Sequence, residues 1–311
     1  MKVVSFFSGL GGLDKGFVDT GYDIIWANDF DKFAVQTYKA NFGEHIVLGD
    51  INEISLDEIP DCDVLIGGFP CQPFSMMGAQ KGFEDTRGTL FFRVAEIIDD
   101  KNKKGKKPKA IILENVRSLK THNNGKTYKE IYRILQDVLG YKVFCDILNS
   151  ADYGVPQTRN RTYIVCFDNG AAEYKFPEKQ KLDKTLQDLL EQDVDNKYFL
   201  SDKILPTILS DGTGGYKAKS EIDLKIARPL CATMAKMHRA CQDNYVTQKG
   251  KVRRLTPREC ARLQGFEDSF VIPVSDCQAY KQFGNAVTVN VSRSVAQSVK
   301  DTLKELGEWV D

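Results

Sequence analysis

Over the first 170 residues, short apolar runs alternate with stretches whose apolar positions recur every three or four residues. The runs "KVVSFF" (2–7), "IIWAN" (24–28), "IVL" (46–48), "DVLIGG" (63–68), "AIILENV" (110–116), "YKVFCDIL" (141–148) and "RTYIVCF" (161–167) predict strands. Between them, Leu13 and Phe17 mark an amphipathic stretch behind a glycine turn, and Asp31 is placed to cap a helix reaching about residue 41. Further helices are predicted over 89–99 and 126–139. Strands interleaved with helices of this length imply an α/β chain with a doubly wound sheet. Ligands of such sheets bind at the carboxyl ends of the strands.

After residue 169 the pattern changes. "FPEKQKLDKTLQDLLEQDVDNKYFLSDK" is charged, and "SDGTGGYKAKS" (210–220) is rich in glycine and polar residues. This stretch predicts a second, smaller and less regular domain. A helical pattern returns over 287–306 and is placed to rejoin the first domain. A chain of 311 residues suits two domains. No apolar run approaches the roughly 18 residues of a membrane span. The amino-terminal residues lack the apolar region of a signal peptide, so a cytoplasmic protein with reduced thiols is expected.

Net charge is zero, which argues against a uniformly basic nucleic-acid protein. The distribution is uneven, however. Residues 217–262 hold twelve Lys and Arg against four acids, a local net of +8, which favours a polyanion contact. "KNKKGKKPK" (101–109) holds six lysines and reads as solvated surface. The eight cysteines include no C-x-x-C pair, so no zinc site is expected. His238 has no partner cluster that would make it a metal ligand.

The candidate chemistry lies at the predicted strand ends. "FFSGLGGLDKGF" is a strand, a glycine turn and a helix start, and glycines there let a backbone approach a ligand. Asp29 ends the second strand, where an acid accepts hydrogen bonds from ribose hydroxyls, and Phe30 is placed to lie on an adenine ring. With "GDI" at 49–51 these residues suggest a nucleoside cofactor, and their order favours S-adenosylmethionine over a nicotinamide. Cys71, in "GGFPCQPFS" (67–75), follows a strand at the same edge. Glu114 ends the neighbouring strand, and Arg159 and Arg161 open another. A thiol, a carboxylate and two guanidiniums thus converge on one cleft.

Nine motifs then appear in one order: "FFSGLGG" (6–12), "NDFD" (28–31), "GDI" (49–51), "GGFPCQPFS" (67–75), "GFEDTRGTLFF" (82–92), "ENV" (114–116), "QTRNR" (157–161), "RRLTPRECARLQGF" (253–266) and "YKQFGNAVTVNV" (280–291). In this the chain resembles the bacterial DNA (cytosine-5) methyltransferases of restriction–modification systems over nearly its whole length. The resemblance implies a Rossmann-like mixed sheet and methyl transfer from S-adenosylmethionine to cytosine C5. It implies that Cys71 attacks C6 of a flipped-out base, that Glu114 holds N3 and the amino group, and that Arg161 binds the O2 side with Arg159 supporting it or the backbone. For the cofactor it points to Phe7, Leu10, Gly12, Asp29, Phe30, Asp50, Ile51, Pro70, Leu90 and Asn285. One departure is visible: the family often has an acid where this chain has Ser5.

Residues 71–92 then correspond to the loop that closes over the flipped base, with Ser75 and Arg87 facing DNA. The resemblance divides the chain into a catalytic part (1–175 and 279–311), a target-recognition domain (176–250) and a connecting segment (251–278). Within "ARPLCATMAKMHRACQDNYV" (227–246), Arg228, Lys236, His238 and Arg239 are candidates for guanine or phosphate contacts, and Thr233 for a base edge. Phosphate positioning serves each of them equally well. The expected partner is double-stranded DNA, with a cognate restriction endonuclease in the same system. One target cytosine needs one active site, so a monomer is expected. An RNA-methylating relative would carry a second cysteine where this chain has "ENV", or a Cys-Phe-Thr signature, and neither is present. A DNA-binding regulator on an inactive fold is disfavoured by the intact Cys71, Glu114 and Arg161.

Overall fold

The computed structural model describes residues 1–70, 90–211 and 218–309. Seven strands form one sheet: β1 (Lys2–Phe6), β2 (Asp23–Asp29), β3 (Ile46–Leu48), β4 (Val64–Gly67), β5 (Ala110–Val116), β6 (Lys142–Asn149) and β7 (Asn160–Phe167). Their order is β3-β2-β1-β4-β5-β7-β6. The first five run parallel, and β7 runs antiparallel to both β5 and β6. This is the doubly wound mixed sheet that the sequence pattern implies.

The parallel strands read as continuous apolar runs because both sheet faces are covered. Along β5, Ile112 faces one core and Ile111 and Leu113 face the other. The first core is closed by α1 (Gly12–Val18), α2 (Lys32–Phe42) and α8 (Val289–Glu305), through Phe17, Tyr38 and Val295 among others. The second is closed by α3 (Leu90–Lys103) and α4 (Lys126–Arg133), which runs on into a π-helical turn over Ile134–Val138. Asp31 caps α2 as expected, accepting from the Phe33 N–H at 2.9 Å. Helix α3 runs about a turn beyond its predicted end, carrying the lysine-rich stretch into ordered structure.

Those lysines lie at the amino-terminal edge of β5, away from the candidate chemistry, and are largely committed. Lys101 is buried and donates to the Ile59 carbonyl at 2.5 Å and to Asp61 at 3.1 Å. Lys103 pairs with Asp99, Lys104 with Asp57 and Asp100, and Lys107 with Asp168. Lys109 donates to the Glu308 carbonyl. The cluster is an ion-paired seam rather than a polyanion surface.

Beyond residue 170 regular structure is sparse: α5 (Leu205–Leu209), a hairpin of β8 (Tyr245–Gln248) and β9 (Lys251–Arg254), then α6 (Pro257–Leu263) and α7 (Asp276–Asn285). The position expected to end the recognition domain, 250, falls in the hairpin turn between β8 and β9. A third core joins Leu10 of the amino-terminal turn to Leu186, Leu230, Leu263, Phe283 and Val289. Arg253 and Glu259 form a bidentate pair at 2.8 and 2.6 Å with both side chains inaccessible to solvent. Glu259 also accepts the Thr256 and Glu191 N–H groups, and Arg253 Nε donates to Gln248. The charges are buried with their hydrogen-bonding capacity used, as buried ions require. Helix α8 returns the end of the chain to α1. A Cβ on Gly12 would stand 2.3 Å from the Val287 carbonyl oxygen, so this return itself requires the glycine.

Candidate active site

The carboxyl ends of β1 to β5 share one edge. Register sets Phe6 beside Asn28 on one side and Gly67 on the other, with Gly67 in turn beside Leu113. The turn after β1, the acid ending β2 and the exit of β4 therefore open side by side, with Glu114 next to Gly68.

Phe7 enters the first turn at φ 54° and Gly9 follows at φ 58°. The Gly9 N–H donates to Asp29 Oδ2 at 2.8 Å, and the Asp31 N–H to Asp29 Oδ1 at 2.8 Å. Burial pushes the Asp29 carboxyl above its ordinary range, opposed by these two backbone N–H groups. Phe30, next along, leaves 72% of its surface exposed, an unusual state for a phenylalanine beside a buried acid. Leu48, opposite Asp29 on β3, is 53% exposed; its place at the end of "IVL" was the available signal for it. Asp50 is exposed and caps its own turn through the Asn52 N–H, while Ile51 is buried in the second core. A Cβ on Gly9 would meet nothing within 4 Å. The edge thus offers an open approach to backbone, an apolar ring and a carboxylate, which fits a nucleoside-bearing cofactor. Leu10 and Gly12 lie buried beneath the turn, Pro70 and Asn285 are exposed, and Leu90 opens α3.

Ser5 is fully buried, and its hydroxyl donates to Asp14 Oδ1 at 2.7 Å and accepts from Ser8 at 2.9 Å. The residue at this position, Ser5, is thus tied to a buried acid from α1. Asp14 is itself fully buried, and Tyr38 Oη donates to its Oδ2 at 2.7 Å. Burial pushes its carboxyl up to about 6, against the pull of the Ser5 and Tyr38 hydrogen bonds.

On the antiparallel β5–β7 pair, Glu114 lies opposite Tyr163 and Val116 opposite Arg161, so Glu114 and Arg161 are diagonal neighbours on one face. Arg161 Nε stands 3.0 Å from Glu114 Oε1. Burial pushes the Glu114 carboxyl up, partly offset by Arg161 and then Arg159. Asn115, the middle residue of "ENV" and given no role of its own by the sequence, donates to the Phe69 carbonyl at 2.8 Å and so fastens the exit of β4 to β5. Arg159 is placed otherwise than Arg161. It is 1% exposed, and its Nη atoms donate to the carbonyls of Leu230, Gly284 and Ala286 at 2.8 to 3.0 Å. Cys71, Ser75 and Arg87 lie outside the described residues. The remaining seven cysteines are free thiols, and burial pushes Cys62, Cys145, Cys166, Cys231 and Cys260 up, which makes them poor nucleophiles. Among the described residues, no cluster of three His, Cys, Asp or Glu is arranged to hold a metal.

Two basic surfaces flank this edge. After β5, Arg117, Lys126 and Lys129 are exposed in a stretch (115–129) without an acid, and among the described residues they form no ion pair. The second surface belongs to the irregular segment. A cleft of about 440 Å³ is lined by Arg228, Pro229, Cys231, Thr233, His238, Cys241 and Gln242. Thr233 and Lys236 are exposed, and His238 Nδ1 stands 3.2 Å from Asp243 Oδ2. The net +8 of this region overstates the charge it presents. Arg228 donates to the Ala240 carbonyl and pairs with Glu221, and Arg239 Nε donates to Ser210 and Thr207. Arg253, Arg258 and Arg262 are likewise spent on Glu259, Phe270 and Asp268.

The chain has counterparts among known proteins. The family of C-5 cytosine-specific DNA methylases matches residues 1–301. The type II methyltransferase M.NlaX of Neisseria lactamica is 41% identical, over 99% of this chain and 98% of its own length. The type II methyltransferase M1.ScrFI of Lactococcus lactis subsp. cremoris is also 41% identical, over 98% of this chain and 79% of its own. Among solved structures, the methyltransferase EhMeth of Entamoeba histolytica superposes with a TM-score of 0.78 at 22% identity, covering 98% of each chain. That last likeness concerns the fold alone.

Proposed function

This chain belongs to the family of C-5 cytosine-specific DNA methylases, and from that premise we propose that it methylates one cytosine within a specific double-stranded DNA sequence through a covalent Cys71 intermediate. The observation that carries the reading is the pairing of buried Glu114 with the partly exposed Arg161, set one strand away from the β4 exit that leads into Pro70 and Cys71. A carboxyl biased by burial toward its neutral form is suited to protonate a ring nitrogen as charge develops there.

In this reading the Cys71 thiolate adds to C6, and the C5–C6 π electrons move toward C5. Glu114 gives its proton to N3 and accepts from the exocyclic amino group, while Arg161 donates to O2. The Phe7–Gly12 turn, Asp29, Phe30, Asp50, Ile51, Pro70, Leu90 and Asn285 would hold S-adenosylmethionine, which would supply the electrophilic methyl group for C5. Solvent water takes the C5 proton, the C–H electron pair restores the ring double bond, the sulfur leaves as thiolate, and the N3 proton goes back to Glu114. None of these atoms is reachable in a stacked duplex, so the cytosine is flipped out, with Ser75 and Arg87 in the loop that closes over it.

Residues 1–175 and 279–311 form the catalytic part, 176–250 recognise the target and 251–278 connect them. The cleft beside Thr233, Lys236 and His238 faces the base edges; Arg228 and Arg239 shape it through their internal bonds. Arg117, Lys126 and Lys129 hold the phosphates on the catalytic side. The enzyme acts as a monomer in the cytoplasm, and its functional partner is a restriction endonuclease that recognises the same DNA sequence.

A duplex with 5-fluorocytosine at the target tests the covalent step. Fluorine does not leave as a cation, so with S-adenosylmethionine present the adduct should survive denaturation and map to Cys71. Cys71→Ser should abolish trapping, because a serine hydroxyl is far less ionised than a thiol. An adduct on another cysteine, or full trapping by the serine variant, would overturn the assignment.

A further inference from the structure

The recognition segment meets the catalytic part through a buried polar joint centred on the Leu230 peptide. Its N–H donates to Gln157 Oε1 at 2.9 Å, and its carbonyl accepts from Arg159 Nη1 at 2.9 Å. Both gripping side chains are inaccessible, at 0% and 1% exposure. The backbone docks as well: the Thr158 N–H donates to the Ala227 carbonyl, and the Ala227 N–H to the Pro156 carbonyl. Arg159 Nη2 turns the other way, to the Gly284 and Ala286 carbonyls at 3.0 and 2.8 Å. These two carbonyls flank Asn285. Helix α7 also lies directly on the segment, since a Cβ on Gly284 would stand 2.2 Å from the Ala232 nitrogen. Two residues along the chain, Arg161 holds Glu114.

One guanidinium therefore touches the recognition segment and the Asn285 turn, and its backbone leads into the strand that carries Arg161. Three carbonyls in two directions demand the planar fork of an arginine; a lysine ammonium is a single point on a flexible stem. The arrangement is not fully relaxed, because Arg159 Nε is buried without a partner among the described residues. A buried donor left unpaired is costly, and it persists where the rest of the site over-determines the side chain. Burial also draws the Arg159 guanidinium down to about 9, which leaves it charged at neutral pH.

We infer that Arg159 is a positioning residue that couples the recognition segment to the Glu114–Arg161 pair and the Asn285 turn, so that contacts made around Thr233 and His238 set the geometry of the catalytic edge. This rests on the function proposed above. A rigid connection of this kind matters because displacements near 1 Å in a reacting geometry cost about a hundredfold in rate.

Arg159→Lys retains the charge but serves fewer of the three carbonyls, and Gln157→Met releases only the Leu230 N–H and the Leu263 carbonyl that Gln157 also holds. Both are compared with wild type on the cognate duplex, located by bisulfite sequencing, and on duplexes with one base pair of the site changed. In Arg159→Lys, kcat on the cognate duplex should fall by about tenfold or more with little change in KM, and the cognate to near-cognate ratio of kcat/KM should fall by a similar factor. Hydrogen exchange should accelerate together in 227–233 and 283–288. A folded variant whose ratio stays within about twofold of wild type would make Arg159 merely structural and overturn the inference. If Arg159→Lys does not fold, the same ratio in Gln157→Met decides. A wild-type protein inactive on every duplex would sink the functional reading instead, and the exchange of 227–233 in the variants, faster or unchanged, would still decide the coupling.

Discussion

Replacing Asp14 with asparagine should remove a loss of stability that wild type suffers between about pH 4 and pH 7. Asp14 sits fully buried at the root of the glycine turn, bonded to Ser5 and Tyr38, with Tyr38 Oη also 3.0 Å from His45 Nε2. Burial raises its carboxyl from 3.8 to about 6, and the nearby Asp29 adds to the rise. The sign follows from proton counts. Between those two values the native state keeps a proton that the unfolded chain has released, so stability falls as pH rises through the window. The contribution is fully present below about pH 4 and lost above about pH 6. A rise of this size corresponds to about 3 kcal/mol at the upper limit. An asparagine at 14 keeps the volume and carries no titrating proton. The variant's constant offset is unknown, but it cancels when only the pH dependence is compared. Unfolding free energies from urea titrations at several pH values, read by the fluorescence of Trp26 and Trp309, supply the comparison. The variant-minus-wild-type difference should grow by about 3 kcal/mol from pH 4 to pH 7. A difference that stays flat within about 1 kcal/mol would mean that the carboxyl is already relieved by water or by its partners. A difference that shrinks would mean that its hydrogen bonds outweigh burial.

Glu114→Gln keeps the volume of the side chain but cannot give up a proton, and it leaves Arg161 without its counter-charge. Single-turnover methylation should slow by about 10² to 10³-fold while S-adenosylmethionine affinity changes little; a near-normal rate would remove Glu114 from the chemistry. Neutralising Arg117, Lys126 or Lys129 should each lower the slope of log affinity against log salt by nearly one if that cation meets a phosphate. An unchanged slope for all three would place the duplex elsewhere. Exchanging 176–250 for the equivalent segment of a relative should move the methylated sequence, and a chimaera that kept the original target would show that the reading lies outside this segment.

The sheet was legible because each parallel strand is an apolar run, bounded by turns, that needs cover on both faces. The candidate edge was legible because Asp29, Glu114 and Arg161 each end or open such a run. Helix α6 carried a readable start that the pattern of apolar spacing passed over. "TPRE" at 256–259 is a capping box with proline at the first helical position, and the Thr256 and Glu259 side chains make both capping bonds. The role of the basic residues was not legible. A lysine at 104 or an arginine at 262 looks the same in sequence whether it meets a phosphate or an acid brought in from Asp57 or Asp268. Such pairing is decided by how the fold brings side chains together, across 47 residues for Lys104 and six for Arg262, and no helical or strand periodicity records it.

The same limit explains why Arg159 and Arg161, two residues apart in one motif, look interchangeable in sequence and have different surroundings in the fold. Arg161 keeps some exposure and faces a carboxylate at the open edge. Arg159 is closed in by backbone carbonyls from two other parts of the chain. The apolar core shared by Leu10, Leu230, Phe283 and Val289 supplies adhesion between those parts, but apolar contact is nondirectional and tolerates sliding. Hydrogen bonds to both backbone groups of one residue do not tolerate it, because a shift of one residue would leave a buried N–H and a buried carbonyl unpaired. A reader built on such a joint passes its own position to the catalytic edge. A reader held by the apolar core alone would bind its sequence without fixing where Glu114 meets the base.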